Sequence, residues 1–220
     1  TIIAADMGGL VVGDVVYYYV IAQDVLGFIS SNPSAGLVAT DVNTVTTPPT
    51  TPNSYSINTE LNGLYTVGVG GAYTTITAAV AAYNISCLGG PVTFSLIDAA
   101  YPSETYPITI SPNAFASMTN TLTIKPAVGV SPTISTSLAS NYMFRVNGNY
   151  VIFDGSNIVS GSTRDLTITN TSATSPSAIL YGSINPTPIV GGVIKNTILI
   201  NGSNSTSNVV VGGSTSTSAS

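Results

Sequence analysis

The chain has 220 residues, 44 % of them apolar, with four Lys and Arg, nine acids, no His and a net charge of −5. So few cations argue against nucleic acid, which needs clustered Lys and Arg to neutralise phosphate, and against docking on an anionic membrane. The apolar fraction suffices for a sizeable core, so the chain is expected to fold rather than stay disordered. Polarity comes from Ser, Thr and Asn, and the wealth of β-branched residues and Gly favours strands and turns. Such a low-charge β composition fits an extracellular setting. The single cysteine, Cys87, precludes an internal disulfide. With neither base nor cation among Ile85, Ser86 and Leu88, it reads as a small buried apolar side chain.

Residues 1–45 form the first expected unit. The run from Asp14 to Asp24, with Val15, Val16, Tyr17, Tyr18, Tyr19, Val20 and Ile21, is strongly β-forming and reads as one strand, Tyr17 and Tyr19 sharing a face. Gly27 and the Ser30–Pro33 stretch read as turn, and Gly36–Thr40 as a further short strand. This pattern resembles the last strands of a fibronectin type III-like domain. The resemblance implies that a strand tyrosine packs in a core, and that earlier strands of a partial β-sandwich lie upstream. Residues 46–56, with Pro48, Pro49 and Pro52, are expected to be a semi-rigid linker.

The second expected unit is 57–220. Gly68-Val69-Gly70-Gly71 lacks a following Lys-Ser/Thr and so reads as a turn, not a phosphate loop. A helix is expected after Thr74 or Thr75 as N-cap, with Ile76, Ala79, Val80 and Tyr83 on one face and Asn84 helping to end it. Short apolar bursts then recur: Val92–Leu96, Ile108–Ile110, Leu122–Ile124, Phe144–Val146, Val151–Phe153, Leu166–Ile168, Ile179–Leu180, Val193–Ile194, Ile198–Ile200 and Val209–Val211. Leu122, Phe144 and Leu166 stand 22 residues apart, as do Ile124, Val146 and Ile168. A fixed step with short strands points to a stacked solenoid, with a β-sandwich as the rival. Asn147, Asn149, Asn170, Asn196 and Asn201 are expected at turns, where they can stack along the axis. The start at Thr1 and the Ser/Thr-rich tail after Gly212 both suggest a piece of something longer, the tail being either the next turn or a disordered stop.

The stretches Tyr73–Tyr83, Gly89–Tyr101 and Tyr106–Ile110 resemble the opening of pectin lyase-like proteins, and Asn149–Gly155 and Leu166–Asn170 resemble their repeated coils. That resemblance implies an all-β fold: a right-handed parallel β-helix with an N-terminal capping helix, preceded here by the partial fibronectin-like sandwich. The wording around Gly68–Tyr73 is similar to modules of very large surface proteins of Bacteroidota, exported by the type IX system. A non-catalytic structural or adhesive module at the cell surface is thereby implied. Its expected partners are neighbouring domains of its own chain, surface glycans or secretion and surface-assembly proteins, the last as a passenger.

The competing reading is a polysaccharide lyase or glycoside hydrolase on the same scaffold. Hydrolysis needs two carboxylates about 5–10 Å apart, and the candidates are Asp98, Glu104 and Asp154, with Asp165 beside Arg164. The hydrolases of that fold also carry an Asp-Asp pair, a His and an Arg-x-Lys element, none of which this sequence matches. Its four cations, Lys125, Arg145, Arg164 and Lys195, look scattered. Asp98 and Asp154 therefore read as turn residues holding local backbone, Arg164 and Asp165 as a solvated pair, and Arg145 as outward-facing. No cofactor is expected; calcium at isolated carboxylates and carbonyls is only weakly suggested.

Overall fold

Alternating β-branched and aromatic residues build strands throughout the chain, but its two parts pair them differently. The computed structural model describes residues 8–182 and 188–212, and contacts divide the chain into two units between Thr59 and Glu60. The Ser-rich tail read from the sequence lies outside the described residues.

In the first unit the Asp14–Asp24 run is two strands, β1 (Val15–Tyr18) and β2 (Val20–Gln23), broken at Tyr19. β2 pairs antiparallel with β3 (Ile29–Asn32), so most of the Ser30–Pro33 stretch is strand rather than turn. The turn is Asp24–Phe28: the Asp24 carboxylate accepts the Leu26 and Phe28 amides, each at 2.9 Å, and Gly27 adopts φ +87°. That left-handed conformation suits glycine, which has no Cβ to clash. β4 (Val38–Asp41) and β5 (Thr44–Thr47) form a second hairpin. β6 (Asn53–Ser56) pairs antiparallel with β1, so part of the Pro/Thr-rich stretch is paired backbone and not free spacer. Pairing satisfies one edge of each strand but leaves the side chains uncovered. Tyr17 is 66 % exposed and Phe28 72 %, and Pro49 alone is buried among the described residues of this unit.

The second unit opens with β7 (Glu60–Val67) and α1 (Ile76–Ile85), followed by β8 (Cys87–Leu96), β9 (Ile108–Ile110), β10 (Leu122–Pro126), β11 (Thr133–Thr136) and β12 (Tyr142–Val146). β13 (Val151–Asp154), β14 (Leu166–Asn170), β15 (Ser177–Gly182), β16 (Val193–Lys195), β17 (Thr197–Asn201) and β18 (Val209–Gly212) complete it. One five-stranded sheet contains β7, β8, β10, β13 and β16; a second contains β11, β14 and β17; a third contains β9, β12, β15 and β18. Every pairing within these sheets is parallel. A chain that visits three sheets in rotation and returns one rung further on is a parallel β-solenoid, here of about five turns.

The 22-residue step is not the coil. Leu122, Phe144 and Leu166 lie in β10, β12 and β14, in three different sheets. Leu122 sits beside Val92, 30 residues earlier, and Phe144 beside Ile108, 36 earlier. A step of 22 is about two-thirds of such a coil, so each step skips one strand of every three.

Parallel pairing in register puts like residues on like rungs. Val92, Leu122 and Val151 face inward as one file, and Phe94, Ile124 and Phe153 as the next, all with no exposed surface. Phe144 packs edge-on against Phe153 across the interior, ring centres 5.1 Å apart. Each such side chain contributes about 1.5–3 kcal/mol by leaving water. Tyr181 braces two turns, its hydroxyl within hydrogen-bond distance of the carbonyls of Val151 (3.1 Å) and Val193 (3.3 Å). Asn170 and Asn201 end β14 and β17 rather than lying in turns, but they do stand on adjacent rungs, and the buried Asn170 amide holds Leu138 from both sides. Gly155 has the next coil's backbone against it, at Asn196 and Thr197, where a Cβ would force the coils apart.

Helix α1 starts where the sequence indicates: Thr75 is the N-cap, its hydroxyl accepting the Ala78 amide at 3.0 Å. Ile76, Ala79, Val80 and Tyr83 are buried in the same core cluster as the strands. Asn84 does not end the helix in a left-handed turn. It remains helical, donates to the Thr109 carbonyl and accepts the Ser111 amide, tying α1 to the β9 strand. Cys87 is only half-buried, because it opens β8 at the rim rather than lying along an inward file.

Candidate functional site

A carboxylate in a low-charge β protein serves either chemistry or orphan backbone N–H groups. Asp98 follows β8 and accepts the Val69 amide through Oδ2 at 2.8 Å. Gly68 makes room for it, since a Cβ there would strike the Asp98 carboxyl. Tyr101 reinforces the junction by donating to the Val67 carbonyl at 2.6 Å and accepting the Asp98 amide at 3.2 Å. Burial chiefly pushes its phenol up to about 12, opposed by a backbone hydrogen bond at Asp98 and assisted by the Asp98 carboxylate.

Glu104 closes the N-terminus of α1 from a distant loop. Its Oε1 accepts the Ile76 amide at 2.7 Å, and its Oε2 accepts both the amide and the hydroxyl of Thr77 at 2.6 Å. The α1 sequence carries no acid in its first turn, so this carboxylate supplies from tertiary structure the negative charge that a helix N-terminus favours.

Asp154 ends β13. Oδ1 accepts the Asn196 side-chain amide at 2.9 Å and the Ser156 amide at 3.2 Å, and Oδ2 pairs with Lys195 at 3.3 Å. Burial would raise its pKa, but the hydrogen bonds from Asn196, Ser156 and Lys195, with the lysine charge, outweigh it and hold the carboxyl below the usual range. Asp165 accepts the Asn157 amide at 2.9 Å and is lowered chiefly by that bond and by the Thr163 hydroxyl. Arg164 is not its partner; Lys195–Asp154 is the one ion pair among the described residues. Arg145 is exposed on β12, on the outward side as expected.

The three candidate carboxylates thus engage different stretches of backbone, and no two share a donor. No group of three or more His, Cys, Asp or Glu side chains converges among the described residues. One arrangement escaped the sequence reading. Lys195 lies beside Asp154 on the neighbouring strand, and Lys125 follows Ile124, whose partner Phe153 precedes Asp154. The Lys195–Asp154 pairing is hidden in the sequence because the two residues lie 41 positions apart on neighbouring strands.

Three parallel sheets visited in rotation around stacked apolar files define the second unit as a parallel β-solenoid. The chain matches no family model, no curated protein and no solved structure.

Proposed function

We propose that this chain is a non-catalytic structural or adhesive module of a large secreted cell-surface protein. In this reading the solenoid is a right-handed parallel β-helix, α1 caps its first coil, and residues 1–45 are the end of a fibronectin type III-like sandwich. The resemblances of Tyr73–Ile110 to pectin lyase-like openings and of Asp14–Thr40 to fibronectin-type strands support those finer assignments and the bacterial surface setting. Partners would be neighbouring domains of the same chain and surface glycans.

The observation that carries the reading is how the carboxylates are used. Asp98, Glu104 and Asp154 each hold backbone amides that would otherwise go unpaired, which is a structural task. A general acid instead needs a partner carboxylate across a substrate. Incubation with a panel of neutral and uronate polysaccharides is expected to release no new reducing ends or unsaturated products. Cleavage abolished by Asp98→Ala or Asp154→Ala would overturn the proposal.

A further inference from the structure

Three successive turns of the solenoid place their β11–β12, β14–β15 and β17–β18 connections one above another. Ser140 and Asn141 come from the first, with Tyr142 opening β12; Ser175 comes from the second, with Ser177 opening β15; and Ser205, Thr206 and Ser207 come from the third. Together with Val209–Val211 they line a groove of about 610 Å³. That volume lies within the range of small-ligand sites, about 300–1,000 Å³.

We infer that this groove binds an uncharged oligosaccharide lying along the solenoid axis; the inference rests on the adhesive reading above and names its ligand class. Three properties of the lining carry it. First, it contains no Asp, Glu, Lys or Arg. A uronate or phosphate would lose its hydration there without gaining a counter-charge, whereas a neutral sugar has none to strand. Second, part of the polar lining is preorganised and part is free. Ser177 donates to the Ser207 carbonyl at 2.8 Å, Thr206 to the Pro176 carbonyl at 2.7 Å, and Asn141 Oδ1 accepts the Tyr142 amide at 2.9 Å. The hydroxyls of Ser140, Ser175, Ser207 and Tyr142, and the Asn141 side-chain NH₂, have no partner among the described residues; these are the donors and acceptors that sugar hydroxyls require. Third, Tyr142 is half-buried in the wall of the groove, a rigid ring against which the apolar face of a pyranose can pack.

The parallel register gives the groove a repeat. Tyr142 is paired with Ser177, and the hydroxyls recur on each coil at the strand spacing of about 4.8 Å. That is close to the rise of one residue in an extended neutral glycan, so one chain could meet the same chemistry on successive rungs.

Titration calorimetry and saturation-transfer NMR on the intact chain, with neutral gluco-, manno- and xylo-oligosaccharides beside oligogalacturonate, test this. The expected result is binding of at least one neutral series and not of the uronate. Tyr142→Ala should weaken it by about tenfold, the scale of one lost ring contact. Because Tyr142 is half-buried, Ser207→Trp provides a second variant at an exposed position, filling the groove and abolishing binding. Ser135→Trp, exposed on β11, should leave affinity unchanged. Binding that survives Ser207→Trp, binding of the uronate alone, or no binding to any member of the set would each overturn the groove assignment. Those outcomes leave the non-catalytic reading to its own turnover assay.

Discussion

The first unit and the solenoid use the same strand-forming residues, alternating Val, Ile, Thr and Tyr, yet only one of them buries what it alternates. In residues 8–59 each strand has a single antiparallel partner, and large side chains such as Tyr17, Val20 and Phe28 remain exposed. From Leu61 onward, inner strands have neighbours on both edges and an interior shared with two other sheets, and the apolar core cluster lies wholly there. The difference teaches that alternation specifies a strand with two unlike faces, but burial requires a second layer. The solenoid supplies that layer by returning the chain on itself.

The strongest way to break this comparison is to cut equivalent aromatic side chains in the two units. Phe153→Ala removes a fully buried ring packed edge-on against Phe144, and urea unfolding should show a loss of about 3–5 kcal/mol. Tyr17→Ala, at a ring 66 % exposed, should stay within about 0.5 kcal/mol. Equal losses would mean that the first unit has a core of its own. Next in size is Glu104→Gln, which keeps the shape but removes the charge at the α1 N-terminus. Destabilisation of about 1–2 kcal/mol is expected, with early loss of amide protection at Ile76 and Thr77 in hydrogen exchange; unchanged protection would show that Thr75 alone holds the helix start.

The smallest effect concerns Asp154 and Lys195. Lys195 is 53 % exposed, so Lys195→Met should cost about 0–1 kcal/mol, diminishing in salt. The pH dependence has a definite sign. The folded carboxyl of Asp154 lies below its ordinary value, so its contribution is present above the unfolded pKa of about 4 and is lost as pH falls through the lower folded value. Asp165 is lowered too, so Asp154→Asn should flatten only part of the stability slope below pH of about 4. An unaltered slope would show that the Asn196 and Ser156 bonds do not favour the ionised form.

The strand content of the solenoid was largely legible because inward positions must be apolar on every rung. All the recurring bursts from Val92 to Val211 fall within strands. β11 escaped because only Ile134 of its four residues is buried; Thr133, Ser135 and Thr136 read as turn. β7 escaped because Asn62 and Gly63 interrupt its pattern, and its partner β8 accommodates a register shift there. The helix face was readable from its own spacing, and the N-cap from Thr75, but Glu104 was invisible as a cap because its partners are 27 and 28 residues away.

By itself, the sequence determined that this chain forms short strands, a helix with one apolar face and little charged surface, since those follow from side-chain shape and spacing within a few residues. Tertiary structure decided the coil length, the stacking of Lys195 beside Asp154, the tasks of the carboxylates and the hydroxyl-lined groove. These depend on contacts between segments 27 to 41 residues apart, which form only when the inward files of successive coils pack together.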